Sequence, residues 1–176
     1  MRTTILLFFM VLLVAPHAVA QPRDDRLIVP SVRIGKWRPG MSVDELVRLH
    51  GDANGTFQFL KGSPGDADFL RDALEYRWEA DDIGAFTFGR PLAEDLEVGR
   101  HSVLPYRTNA GVSLQGTRAD ILRAYGKPAG AGIPQPGSVR LINDALGIAF
   151  VVYGSTGWIS RIAIFRPGSA RRIWKF

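Results

Sequence analysis

Two short stretches of the chain share one pattern of polar and apolar positions. GMSVDELVRLHG covers residues 40–51 and GTRADILRAYG covers residues 116–126. In each, a glycine precedes a hydroxyl residue, an acid follows three places later, and apolar residues at helical spacing lead to a closing glycine. Such a hydroxyl–acid pair fits a helix capping box, and the last glycine fits a left-handed stop. The pattern predicts two equivalent helices of about two turns.

The apolar face of each predicted helix needs a partner, because so short a helix is marginal alone in water. The stripe of the first helix consists of Val43, Leu46, Val47 and His50, and that of the second of Ile121, Leu122 and Tyr125. His50 and Tyr125 occupy equivalent places at the helix ends. This equivalence favours a packing role for the histidine over a chemical one.

Runs of β-forming residues after each helix predict antiparallel strands. The predicted strands cover 74–78, 84–88 and, less regularly, 97–104 after the first helix, and 139–142, 148–153 and 158–165 after the second. The residues between 129 and 137 are predicted to form a loop. The sequence therefore predicts an α+β fold of two tandem helix-then-antiparallel-sheet modules, 21–105 and 106–165. We expect them to share one sheet with the short helices on one face.

The first twenty residues have the pattern of a signal peptide. Arg2 precedes an apolar run over 5–14, and small residues at Ala18 and Ala20 fit a cleavage site after Ala20. We expect a periplasmic or secreted protein, with an uncleaved anchor as the alternative. The chain has no cysteine, which excludes disulfides, thiol catalysis and cysteine–zinc sites.

The positive charge of the chain is concentrated at its end. The formal net charge is +5, yet residues 21–165 contain 17 basic and 17 acidic residues. The excess lies in the tail 166–176, RPGSARRIWKF, which has four basic residues and no acid. A neutral body argues against a nucleic-acid partner. The tail could attach to an anionic membrane or lipopolysaccharide surface, or form an edge strand whose arginines deter aggregation.

The repeated phrase is similar to a family signature. RPGMSVDELVRLHG, and more loosely LQGTRADILRAYGKP, resemble the helix of BamE-like (SmpA/OmlA) outer-membrane assembly modules and of the tandem-repeat beta-lactamase inhibitor protein fold. The resemblance implies a non-catalytic binding or assembly role. The chain differs from the first family in having two copies of the phrase and no lipobox cysteine, and from the second in having no disulfide.

No arrangement of residues in the sequence predicts a catalytic, metal or cofactor site. His101 and Ser102 are neighbours on a predicted strand and would face opposite sides. No histidine or carboxylate cluster has zinc spacing, and no nucleotide-binding fingerprint is present, so no cofactor is predicted.

Binding residues are predicted from aromatic and arginine pairs, which are common in interfaces. The candidates are Trp37, Arg38, Tyr106, Arg107, Arg171, Arg172 and Trp174. The leading hypothesis is a binding or envelope-assembly module whose partner is another envelope or extracellular protein. An exported hydrolase that uses carboxylates with His50, and a secreted enzyme inhibitor, remain as alternatives.

Overall fold

An eight-stranded antiparallel sheet organises the fold. The structure is a computed structural model, and it describes residues 25–60 and 71–176; the predicted signal peptide lies outside these residues. Their elements in chain order are β1 (Leu27–Val29), β2 (Arg33–Ile34), α1 (Val43–His50), β3 (Gly55–Phe59), β4 (Ala73–Trp78), β5 (Ile83–Thr87), β6 (Asp95–Gly99), β7 (Arg107–Thr108), α2 (Arg118–Tyr125), β8 (Gly130–Gly132), β9 (Ser138–Asn143), β10 (Ile148–Tyr153), β11 (Ile159–Phe165) and α3 (Ala170–Ile173).

The large sheet has the strand order β3-β4-β5-β6-β11-β10-β9-β8. Helix α1 precedes the meander β3–β6, and α2 precedes the meander β8–β11. The last strands of the two meanders, β6 and β11, pair in the middle of the sheet. The α+β class is thereby confirmed.

A second, three-stranded sheet was not predicted. It has the order β2-β1-β7 and joins the two predicted segments, because β1 pairs in parallel with β7. Its strands are only two or three residues long. Strands this short lack the alternation that identifies a strand in a sequence.

Both repeated phrases form helices with the predicted ends. In α1 the hydroxyl of Ser42 accepts a hydrogen bond from the Glu45 N–H at 3.1 Å, and Gly51 follows with φ of 79°. In α2 the Asp120 carboxylate accepts a hydrogen bond from the Thr117 N–H at 2.9 Å. That bond satisfies a backbone donor at the helix start, and bonds from Thr117 hold the pKa of Asp120 below its usual value.

Different elements of the chain pack on the two faces of the large sheet. Leu46 of α1 and Ile121 of α2 are fully buried in one core, together with one set of alternate strand residues. We call this side the helix face. Phe165 lies on the opposite face and meets the ring of Trp174 edge-on, with ring centroids 4.9 Å apart. The segment 166–176 is therefore folded against the sheet through α3.

Three local predictions were wrong. The loop predicted over 129–137 contains the edge strand β8. The strand predicted over 97–104 is instead 95–99, because the chain turns after Gly99. Leu122 is 40% exposed and does not belong to the buried stripe of α2. No helix among the described residues is long and apolar enough to cross a membrane.

Candidate binding cleft

A cleft of about 700 Å³ opens on the sheet face opposite α1 and α2. Successive side chains of a strand point to opposite faces of the sheet. Alternate residues therefore line the cleft, and the residues between them enter the core on the helix face. The floor of the cleft carries the charged residues Glu75, Arg77, Glu97, Arg140 and Arg161. Its rim includes Phe59, Ile133, Pro134, Pro136 and Tyr153. Asp82, Arg100, His101 and Gln135 also line the cleft, so its charged floor is combined with a rim of mixed apolar and polar residues.

The centre of the floor is a buried ion pair. Arg140 on β9 donates to Glu97 on β6 at 2.6 Å, and both side chains are almost inaccessible to solvent. Arg161 on β11 donates to the other Glu97 oxygen at 3.2 Å. Both carboxylate oxygens are therefore occupied. Burial would raise the pKa of Glu97, but Arg140 and Arg161 outweigh it and hold that pKa below its usual value.

A second carboxylate extends the network to β4. Glu75 is 1% exposed and accepts hydrogen bonds from Arg77 on both of its oxygens, at 2.7 and 2.9 Å. Arg161 lies 3.9 Å from it and so links the two glutamates. Burial raises the pKa of Glu75, and the bonds from Arg77 oppose that rise.

The guanidinium groups of Arg77 and Arg161 are the accessible part of this network. Their side chains are 28% and 36% exposed, whereas that of Arg140 is 4% exposed. The floor has three arginines and two glutamates, so its exposed layer is positive and its carboxylates lie beneath. Arginine in such a place can bind a carboxylate through two parallel hydrogen bonds.

A glycine makes room for the buried carboxylate. Gly84 on β5 pairs with Arg77 and Glu97 on its two neighbouring strands. A Cβ atom at Gly84 would stand 2.6 Å from Oε1 of Glu75, closer than the two atoms can approach. The close approach of Glu75 therefore requires glycine here.

The predicted aromatic residues lie in the two cores and do not meet in one site. Trp37 and Tyr106 are buried on the helix face, and Trp174 is 1% exposed on the opposite face. The guanidinium of Arg140 lies 4.3 Å above the ring of Trp174. Trp174 thus packs beside the cleft floor, on the same face of the sheet.

The predicted arginines lie on the surface, apart from the cleft. Arg38 is 3.8 Å from Glu45 at the start of α1, and Arg107 lies on β7. Arg171 and Arg172 belong to α3, and Arg172 lies 3.7 Å from Glu94. None of the seven predicted binding residues lines the cleft.

His50 lies on the helix face, across the sheet from the cleft carboxylates. Its ring stacks on Trp37 with centroids 3.7 Å apart and planes 9° from parallel. Burial lowers the pKa of His50, and Asp81 partly opposes this. His101 does line the cleft, where its backbone N–H donates to Asp82 at 2.9 Å.

The charged floor was not predicted from the sequence. Glu75 and Arg77 alternate with apolar residues, which is also typical of a strand with one face in solvent. β6, β9 and β11 contribute Glu97, Arg140 and Arg161 to the floor, and these strands are otherwise mainly apolar apart from Asp95 on β6. A charge inside an apolar strand is unusual and could have been recognised, but its partners come from distant parts of the chain.

In residues 25–60 and 71–176, no three histidine, aspartate or glutamate side chains gather as metal ligands. Comparisons of the chain with protein-family models, with curated proteins and with solved structures find no match.

Proposed function

We propose that the protein is an exported, non-catalytic binding module that holds a segment of another envelope or extracellular protein in the cleft. The observation that carries the proposal is the cleft itself, with buried carboxylates beneath two partly exposed guanidinium groups. Its volume of about 700 Å³ falls within the range of about 300–1,000 Å³ that is usual for ligand pockets.

The composition of the cleft indicates the kind of segment it would hold. Phe59 and Tyr153 offer aromatic surface, and Arg77 and Arg161 offer paired donors to a carboxylate. Tyrosine and arginine are over-represented among residues that dominate binding energy. We therefore propose a partner segment with an acidic side chain beside an apolar one.

The repeated topology supports a tandem-module origin. Each capped helix precedes a four-stranded meander, and a 3₁₀ turn separates the second and third strands of each meander, at Glu79–Asp81 and Asp144–Leu146. The resemblance of the helical phrase to BamE-like and inhibitor-like exported modules supports a binding role, which includes that of a secreted enzyme inhibitor. Periplasmic or secreted location is proposed from the signal-peptide pattern of residues 1–20.

The hydrolase alternative has one supporting observation, which is the raised pKa of Glu75 in the cleft. Hydrogen bonds from arginines occupy both oxygens of Glu75 and both of Glu97. His50, the proposed base, stacks on Trp37 at the other face. These contacts favour the binding proposal.

A matched pair of surface variants tests the cleft. Ile133 at the cleft rim and Val32 in the β1–β2 turn are both exposed apolar residues, at 68% and 52%. The mature protein is crosslinked in envelope extracts, and the captured partner is identified and purified for affinity measurements. Ile133→Asp should weaken its binding about tenfold or more, because it places a charge in the interface, whereas Val32→Asp should not.

Arg161→Gln adds a test of the charged floor. It leaves a shorter, uncharged polar side chain and removes a charged donor to the partner's carboxylate, so binding should weaken and lose part of its salt dependence. Failure to retain any partner at low salt, or equal binding by the Ile133→Asp and Val32→Asp variants, would contradict the proposal.

A further inference from the structure

A second concave site lies where α3 meets the loop between β5 and β6. Its volume is about 220 Å³, and it shares no lining residue with the cleft. Four of its lining residues are arginines from three separate parts of the chain: Arg71, Arg90, Arg166 and Arg172. We call these residues, with Glu94, the arginine pocket.

Among the residues that the structure describes, Glu94 is the one acidic residue that lines this pocket. Its Oε2 atom lies 3.1 Å from Arg71 and 3.7 Å from Arg172, so one oxygen serves both cations. Neither Arg90 nor Arg166 forms an ion pair with any residue that the structure describes. The described lining therefore has four guanidinium groups and one carboxylate, a net charge of three positive units. The mutual repulsion of the arginines favours the binding of an anion.

The arrangement of the pocket limits the kind of anion. Arg71 is held in place, because its guanidinium lies 4.5 Å from the centre of the Phe88 ring while it contacts Glu94. Arginine donors match the tetrahedral oxygens of phosphate, which accept several hydrogen bonds at once. A volume of 220 Å³ is below the range of about 300–1,000 Å³ for whole drug-sized ligands. It therefore suits a single anionic group.

We infer that the arginine pocket binds a phosphate monoester group, presented by a lipid headgroup or as a free small phosphate. The inference goes beyond the proposed protein-binding role and gives a named site to the anionic-surface contact that the sequence predicts for the tail. Of the seven binding residues that were predicted from the sequence, Arg172 lines this pocket. The folded C-terminal segment places three residues at the site, because Arg172 belongs to α3 and Arg166 and Ser169 precede it.

The test compares two double variants with the same charge change. Arg90→Gln with Arg166→Gln removes two exposed pocket arginines, and Arg48→Gln with Arg118→Gln removes two exposed arginines from α1 and α2. Inorganic phosphate is titrated by calorimetry at constant ionic strength. The pocket variant should bind about tenfold more weakly or worse than the native protein, and the helix variant should bind as the native protein does.

The variant Glu94→Gln should strengthen phosphate binding, whereas the pocket variant should weaken it. Glu94→Gln removes the carboxylate that competes for Arg71 and Arg172, so phosphate affinity should rise. Sedimentation with vesicles of phosphatidylcholine alone, or with added phosphatidic acid, separates the two sources. Binding only to the phosphatidic acid vesicles, lost in the pocket variant, identifies a lipid headgroup; phosphate binding without vesicle binding identifies a soluble ligand.

Absence of phosphate binding, or equal loss in the two double variants, would overturn the inference. Two variants distinguish a failure of this inference from a failure of the proposed function. Arg161→Gln should keep phosphate binding while it loses the protein partner. The pocket variant should keep the protein partner.

Discussion

At the scale of single residues, the Glu97–Arg140 pair should show the cost of an unpaired buried charge. Arg140→Met leaves the Glu97 carboxylate, which is 3% exposed, with Arg161 as its remaining contact. We expect a loss of about 3–5 kcal/mol in the free energy of unfolding. The double variant Glu97→Leu/Arg140→Met should regain much of it, because no buried charge remains from the pair.

Urea denaturation of the single and double variants measures this coupling. A double variant less stable than Arg140→Met alone would contradict the ion-pair account. The same pair shows the limit of sequence interpretation at this scale, since its residues lie 43 positions apart. The partners in a helix cap lie only three positions apart, and the Ser42 and Thr117 caps were both predicted for that reason.

At the scale of elements, α3 should be part of the folded structure and not a detachable tail. Trp174 is 1% exposed and Trp158 is 40% exposed, which offers a matched comparison. Trp174→Ala should lower the free energy of unfolding by about 3–5 kcal/mol, because it leaves a cavity against Phe165 and Arg140. Trp158→Ala should cost much less. Thermal or urea unfolding measures both, and equal small losses would indicate that α3 is not packed on the sheet.

Elements with strong local signals were predicted and those that depend on distant partners were not. The strands β9, β10 and β11 follow apolar runs between turn residues, and their bounds agree closely with the prediction. The strand β8 consists of Gly130, Ala131 and Gly132, which have low β-propensity. It forms because β9 offers a free edge. Similarly, α3 is only four residues long, too short for a helical pattern.

At the scale of the whole molecule, the two halves should unfold as one unit. β6 and β11 pair between the halves, and Leu46 and Ile121 share one core cluster. Ile121→Ala in α2 should lower the free energy of unfolding by about 2–5 kcal/mol. If the halves are coupled, amide hydrogen exchange in β5, which lies in the other half, should accelerate by about thirtyfold or more.

The neighbouring residue supplies the control for this measurement. Leu122 is 40% exposed and Ile121 is fully buried, so Leu122→Ala makes a similar change in the same helix with little loss of packing. It should leave exchange in β5 nearly unchanged. If Ile121→Ala accelerated exchange in β8–β11 alone, the halves would be independent modules that merely adjoin. Acceleration in both meanders would mean that the cleft floor, which draws its charges from both, keeps its geometry only while the whole sheet is folded.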